Sequence, residues 1–166
     1  IFFGLLAIYI SNLRNMSYHK LADPGKNLIA FLNLISTCFV LSSLTTRFVF
    51  PLFSLEGKRF WAIGLAPLKV TRLLLEKYCL SVASSLLITE SLMFFSNTML
   101  GSSREMFFLS CGTVFLMSFA LPGIAVGLGT VYPDFKEENP ARIVSGLVGT
   151  ICIIASLVYV SAVIAL

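Results

Sequence analysis

Charge is what this sequence has least of. Only 12% of its 166 residues are Asp, Glu, Lys or Arg, whereas 57% are hydrophobic; ordinary soluble domains run near about 25% and about 45–50%. Histidine occurs once, at His19, with no Cys or His at ligand spacing, so no zinc-type site can be written from it. The four cysteines, Cys38, Cys79, Cys111 and Cys152, form no C-x-x-C pair and fall within apolar stretches, which reads as packing rather than disulfide, metal or nucleophile chemistry. No G-x-x-x-x-G-K-[ST] phosphate loop, H-E-x-x-H or G-x-S-x-G motif occurs. Internal repeats and low-complexity segments are missing as well.

Where the charges are absent, the gaps are long. Twenty uncharged residues separate Lys26 from Arg47, 28 separate Glu105 from Asp134, and the 24 residues after Arg142 carry no charge. About 20 apolar residues in a helix cross about 30 Å of hydrocarbon. A fourth stretch, 78–103, is interrupted only by Glu90. The expectation is therefore an all-α, polytopic transmembrane bundle with four complete spans at about 28–50, 78–100, 107–131 and 143–166. The opening "IFFGLLAIYISNL" reads as a partial span over about 1–13 whose start lies outside this chain, because no basic leader or clean small-residue cleavage site marks a signal peptide.

Six of the twelve Lys and Arg residues cluster from the last turn of the first complete span to the start of the second: Arg47 at the end of 28–50, then Lys58, Arg59, Lys69, Arg72 and Lys77 in the connection. The positive-inside rule makes that connection, 51–77, cytoplasmic, together with 132–142. The opposite loop 14–27 holds three basic residues (Arg14, Lys20, Lys26), which counts against the assignment without reversing it. The net charge of +4 is thus read as orienting the chain in a membrane, with no nucleic acid implied.

The cytoplasmic connection divides at Pro67. Before it, "SLEGKRFWAIGL" mixes charge with Phe60, Trp61, Ile63 and Leu65, the composition of a short amphipathic helix at a membrane face. After it, Lys69, Arg72 and Glu76 share a helix face, with Arg72 and Glu76 four apart, and this helix can run directly into the next span. In "VYPDFKEENPARI", Pro133-Asp134 suits a turn and Asn139-Pro140 suits a helix start, with Asn as cap and Pro at the first position.

Three intramembrane features bear on function. Glu90 lies about 15–18 Å from either end of its span. An ionisable group at that depth is a candidate proton relay or substrate contact, the plainer reading being a packing residue bonded to a neighbour such as Asn33. Pro122-Gly123 is a candidate hinge, or simply a bend. The spacing of Gly123 with Gly127 and of Ala125 with Gly129, and the hydroxyls Ser81, Ser84, Ser85, Thr89 and Ser91, suit close helix packing in lipid.

"RFVFPLFSLEGKRFWAIGLAPL" (47–68), followed about 60 residues later by "GLGTVYPDFKEENPARIVSG" (127–146), resembles the membrane subunit of a bacterial ATP-binding-cassette exporter of the second exporter class. The likeness covers residues 28–160. It implies an inner-membrane permease that holds no ATP itself: a separate ATPase subunit would bind ATP, and a second permease half, identical or different, would complete the path. Carried onto this chain, Ser54 to Trp61, Pro67, Tyr132 to Phe135, Asn139, Pro140 and Arg142 match the pattern. Glu56, Gly57, Phe60, Trp61, Asp134 and Asn139 are the expected ATPase contacts. Such permeases have six or more spans per half, so this chain would be part of a longer subunit. A non-transporting membrane scaffold, or a membrane-embedded enzyme using Glu90, are the other classes left open.

Overall fold

The computed structural model describes residues 23–59, 70–135, 137 and 139–165; among these there is no β-strand. The order is α1 (Asp23–Leu44), a π-helical turn (Thr45–Val49), two 3-10 segments (Phe50–Leu52 and Ser54–Arg59), α2 (Val70–Leu100), α3 (Arg104–Val131), the short α4 (Pro140–Ser145) and α5 (Leu147–Ala165). Among the described residues four helices are long and apolar enough to cross a membrane: Gly25–Glu56, Thr71–Leu100, Arg104–Val131 and Leu147–Ala165. The expected partial span 1–13 lies outside the described residues.

The distribution of polarity is inverted relative to a water-soluble domain. Asn33, Thr37, Thr89, Ser96, Asn97, Ser110, Ser118 and Ser156 are buried, while Leu80, Leu87, Phe108, Leu116 and Leu147 stand outward. A solvent of hydrocarbon explains both halves of this pattern. Exposed apolar side chains then cost nothing, and polar side chains are driven inward to find partners. Many hydroxyls bond to a carbonyl on their own helix, as Thr37 does to Asn33 O and Ser110 to Met106 O. Two apolar clusters fill the bundle. One joins Leu34, Cys38, Leu41, Met93, Val114, Met117, Leu121 and Val160; the other joins Val49, Phe50, Phe53, Ala125, Val126, Ile143 and Cys152.

Helix α1 does not end where its α-helical geometry does. The N–H of Phe50 bonds to Thr45 O, five residues back, so the turn is widened. Two local causes act together. Thr45 Oγ1 donates to Leu41 O and Ser42 O, and Thr46 Oγ1 also donates to Ser42 O, loading the carbonyls just upstream. Pro51 follows; it offers no N–H, and its ring would press on the carbonyl four residues back in a regular α-turn. The chain therefore continues as 3-10 helix through Arg59, and the stretch expected as a separate amphipathic helix is, in its described part, an extension of the first span. Residues 60–69 lie outside the described residues.

Helix α2 runs unbroken from Val70 to Leu100, so the described part of the basic segment, with Arg72 and Lys77, and the span form one rod. Arg72 and Glu76 pair at 3.2 Å, both well exposed, a contact of about 0.3–0.5 kcal/mol.

Helix α3 carries Pro122 in its interior without ending. A proline there leaves the carbonyl of residue 118 without its helical donor. Ser85 Oγ of α2 supplies the replacement, reaching Ser118 O at 3.2 Å, and Thr89 Oγ1 meets Ser118 Oγ at 3.1 Å. At the next carbonyl, the Tyr78 hydroxyl donates to Phe119 O at 3.1 Å. The proline thus fastens α3 to α2. Of the two small-residue pairs, Ala125 and Gly129 lie buried, whereas Gly127 faces outward with open space around it. Gly129 is the tightest approach: a Cβ built there would fall 2.5 Å from Phe50 O.

Candidate functional site

The two connections expected as separate cytoplasmic features meet at one end of the bundle. The N–H of Asp134, just past the end of α3, donates to the buried Ser54 Oγ at 3.0 Å. Two residues on from Ser54, Glu56 Oε1 lies 2.6 Å from Lys77 Nζ of α2. The same ammonium donates to Leu52 O at 3.1 Å and sits 4.5 Å from the centre of the Phe53 ring. Lys77 therefore has a carboxylate, a carbonyl and an aromatic face around it, and only 15% of its side chain is exposed. It ties the 3-10 extension of α1 to the first turns of α2. Ser54 ties that extension to the segment after α3.

Beyond Asp134 the chain turns into α4. Asn139 caps this helix, its Oδ1 accepting from Ala141 N at 3.0 Å, with Pro140 as the first helical residue. Arg142 Nη1 approaches Glu137 Oε1 at 3.6 Å across that start. Helix α4 then breaks at Gly146 before α5, and Ile143 anchors it to the cluster around Phe50 and Phe53.

Glu56 and Asp134 are accordingly brought to one junction, with Asn139 on the strand of chain leading away from it. Gly57 lies in the 3-10 segment beside them. Phe60 and Trp61 lie outside the described residues. Within the chain, Glu56 is held by Lys77 and the Asn139 side chain by its cap, so both act here as positioning groups. The surface beside them is apolar: Leu55, Val131 and Tyr132 are exposed. Lys77 and Ser54 are the residues that residue-by-residue reading undervalued. Lys77 counted only as one basic residue among six, and its two partners lie 21 and 25 positions away with no local signal.

The intramembrane candidates sit elsewhere. Pro122 and Gly123 lie in α3, Pro122 buried and Gly123 towards α2, with the Tyr78 ring 3.7 Å from where a Cβ on Gly123 would be. Glu90 lies on α2, within the membrane-crossing stretch Thr71–Leu100. Its Oε1 is buried and has no hydrogen-bond partner among the described residues, as is true of both polar atoms of Asn97. Asn33 is not its partner: the Asn33 amide donates to Ser96 Oγ at 2.7 Å and touches Met93 Sδ at 3.7 Å. Among the described residues no group of three His, Cys, Asp or Glu side chains could hold a metal ion.

A family model described as "Putative ATP-binding cassette" matches residues 1–166, the full length of the chain. The chain belongs to this family. No curated protein and no solved structure matches it. Membership of this family gives the chain an ATP-binding-cassette context, while the residues described here are long apolar helices and their connections.

Proposed function

We propose that the chain is part of the membrane-spanning permease of an ATP-binding-cassette exporter in a bacterial inner membrane, and that ATP is bound and hydrolysed by a separate ATPase subunit. The observation that carries the reading is the junction itself. Two connections 80 residues apart are joined by the Ser54–Asp134 bond, so a partner pressing on either moves both, and with them the ends of three membrane-crossing helices. The lack of a G-x-x-x-x-G-K-[ST] loop in this chain favours ATP binding elsewhere, in spite of the family's description. Exposed Leu55, Val131 and Tyr132 supply apolar area for a partner's groove, and Glu56 and Asp134 supply its polar rim. A second permease half, identical or not, completes the path.

The test is a detergent pull-down of the full-length parent subunit co-expressed with candidate ATPase subunits, with and without ATP. Retention of an ATPase, reduced when Leu55 and Tyr132 are changed to Asp, supports the reading. If no ATPase is retained under any condition, or if the double variant binds as well as the parent, the junction is not the coupling surface.

A further inference from the structure

At the junction end of the bundle, four cations have described side chains, and three of them have acidic partners: Arg72 with Glu76, Lys77 with Glu56, and Arg142 with Glu137. Arg47 has none among the described residues. It projects from the π-helical turn, exposed, and lines an open groove of about 640 Å³ against α4 and α5. Ala141, Val144 and Ile153 give this groove an apolar wall, and Ser145 and Thr150 give it hydroxyls.

The depth of Arg47 matters. The first membrane-crossing helix has 32 residues, about 48 Å at the helical rise, so when centred in about 30 Å of hydrocarbon it leaves about 9 Å outside at each end. Arg47 stands nine residues before the end of that helix, about 13 Å along it. Its Cα therefore lies just inside the hydrocarbon boundary, within snorkelling distance of the lipid phosphates. A guanidinium at this level with no acidic partner among the described residues is costly unless an anion meets it.

We propose that this groove is a binding site for one anionic phospholipid, its phosphate bonded to the Arg47 guanidinium and its acyl region laid along Val144 and Ile153. The planar guanidinium offers two parallel N–H donors to a phosphate, which a point charge does not. The proposal rests on membrane insertion of the four long helices and is independent of transport or of an ATPase.

The experiment is native mass spectrometry of the full chain, purified in mild detergent and supplied with phosphatidylglycerol or phosphatidylethanolamine. The expected result is preferential retention of phosphatidylglycerol. Arg47→Gln should lower that retention about five-fold, and Ala141→Phe, which fills the groove and keeps the charge, should lower it likewise. Arg72→Gln should leave it unchanged. Equal retention of both lipids, undiminished retention by a folded Arg47→Gln or Ala141→Phe chain, or loss of the preference in excess inorganic phosphate would overturn the proposal, the last result pointing to a soluble anion. If Arg47→Gln does not fold, Ala141→Phe decides. Binding is read without any ATPase present, so its outcome and that of the pull-down are separate.

Discussion

Replacing Ser85 by alanine removes one hydroxyl, and the structure says where the cost falls. That hydroxyl lies 3.0 Å from Val82 O on its own helix and 3.2 Å from Ser118 O on α3. Val82 O keeps its helical donor when the hydroxyl is gone. Ser118 O does not have one to keep, because the residue four ahead is Pro122. Interhelical hydrogen bonds of this kind in lipid average about 0.6 kcal/mol and reach about 1.7. A hydrogen shared between two acceptors is weaker, but its loss leaves the Ser118 carbonyl with no donor, so Ser85→Ala should cost about 1 kcal/mol, roughly a five-fold change in the folding equilibrium. The Pro122→Ala background then tests the cause. Alanine restores the N–H that Ser118 O lacks, so in that background Ser85→Ala should cost less by at least about 0.5 kcal/mol, a coupling that a double-mutant cycle resolves. The assay is reversible unfolding of the full chain in mixed micelles with increasing dodecyl sulfate, followed by far-ultraviolet circular dichroism. The same cost in both backgrounds would refute the idea that the proline fastens α3 to α2 through this carbonyl.

Gly129→Ala places a methyl 2.5 Å from Phe50 O, a backbone atom that cannot turn aside; a loss of about 1–3 kcal/mol is expected in the same unfolding assay, with Gly127→Ala, which meets open space, unchanged or slightly more stable. Lys77→Met keeps the apolar stem and leaves the Leu52 carbonyl and the Glu56 carboxylate without their cation, which should cost about 1.5–3 kcal/mol; Arg72→Met, removing an exposed pair, should cost under about 0.5 kcal/mol. Asn139→Ala should lose about 1 kcal/mol through the missing cap and Asn139→Asp much less, read as faster hydrogen exchange at Ala141 and Arg142 in the alanine variant alone.

The four long helices were legible because charge is a strong signal in an apolar chain: the gaps after Lys26, Glu105 and Arg142 mark three of them by length alone, and the stretch 78–103, broken only by Glu90, marks the fourth. The Arg72–Glu76 pair and the Asn139 cap were legible for a different reason, since both depend on spacing of four residues or fewer along one helix. What could not be read depends on contacts between helices. The π-turn is the local exception: it arises from two hydroxyls and a proline acting together, and none of these separately forbids a regular α-helix. The partner of Asn33 is Ser96, 63 positions away, and composition offers no way to choose it over Glu90. Ser54 and Lys77 looked like ordinary members of a polar connection because their importance lies in what α2 and α3 bring to them.

The separation of Ser54 from Asp134 also sets an order of events. During synthesis Ser54 is made 80 residues before its partner, and two further membrane crossings must be inserted in between. Until then the extension of α1 can be held by Lys77 alone, which arrives with the first turns of α2. The junction is thus closed in two stages, first by a charge and then by a backbone N–H, and a chain that stops within α3 can complete the first stage but never the second.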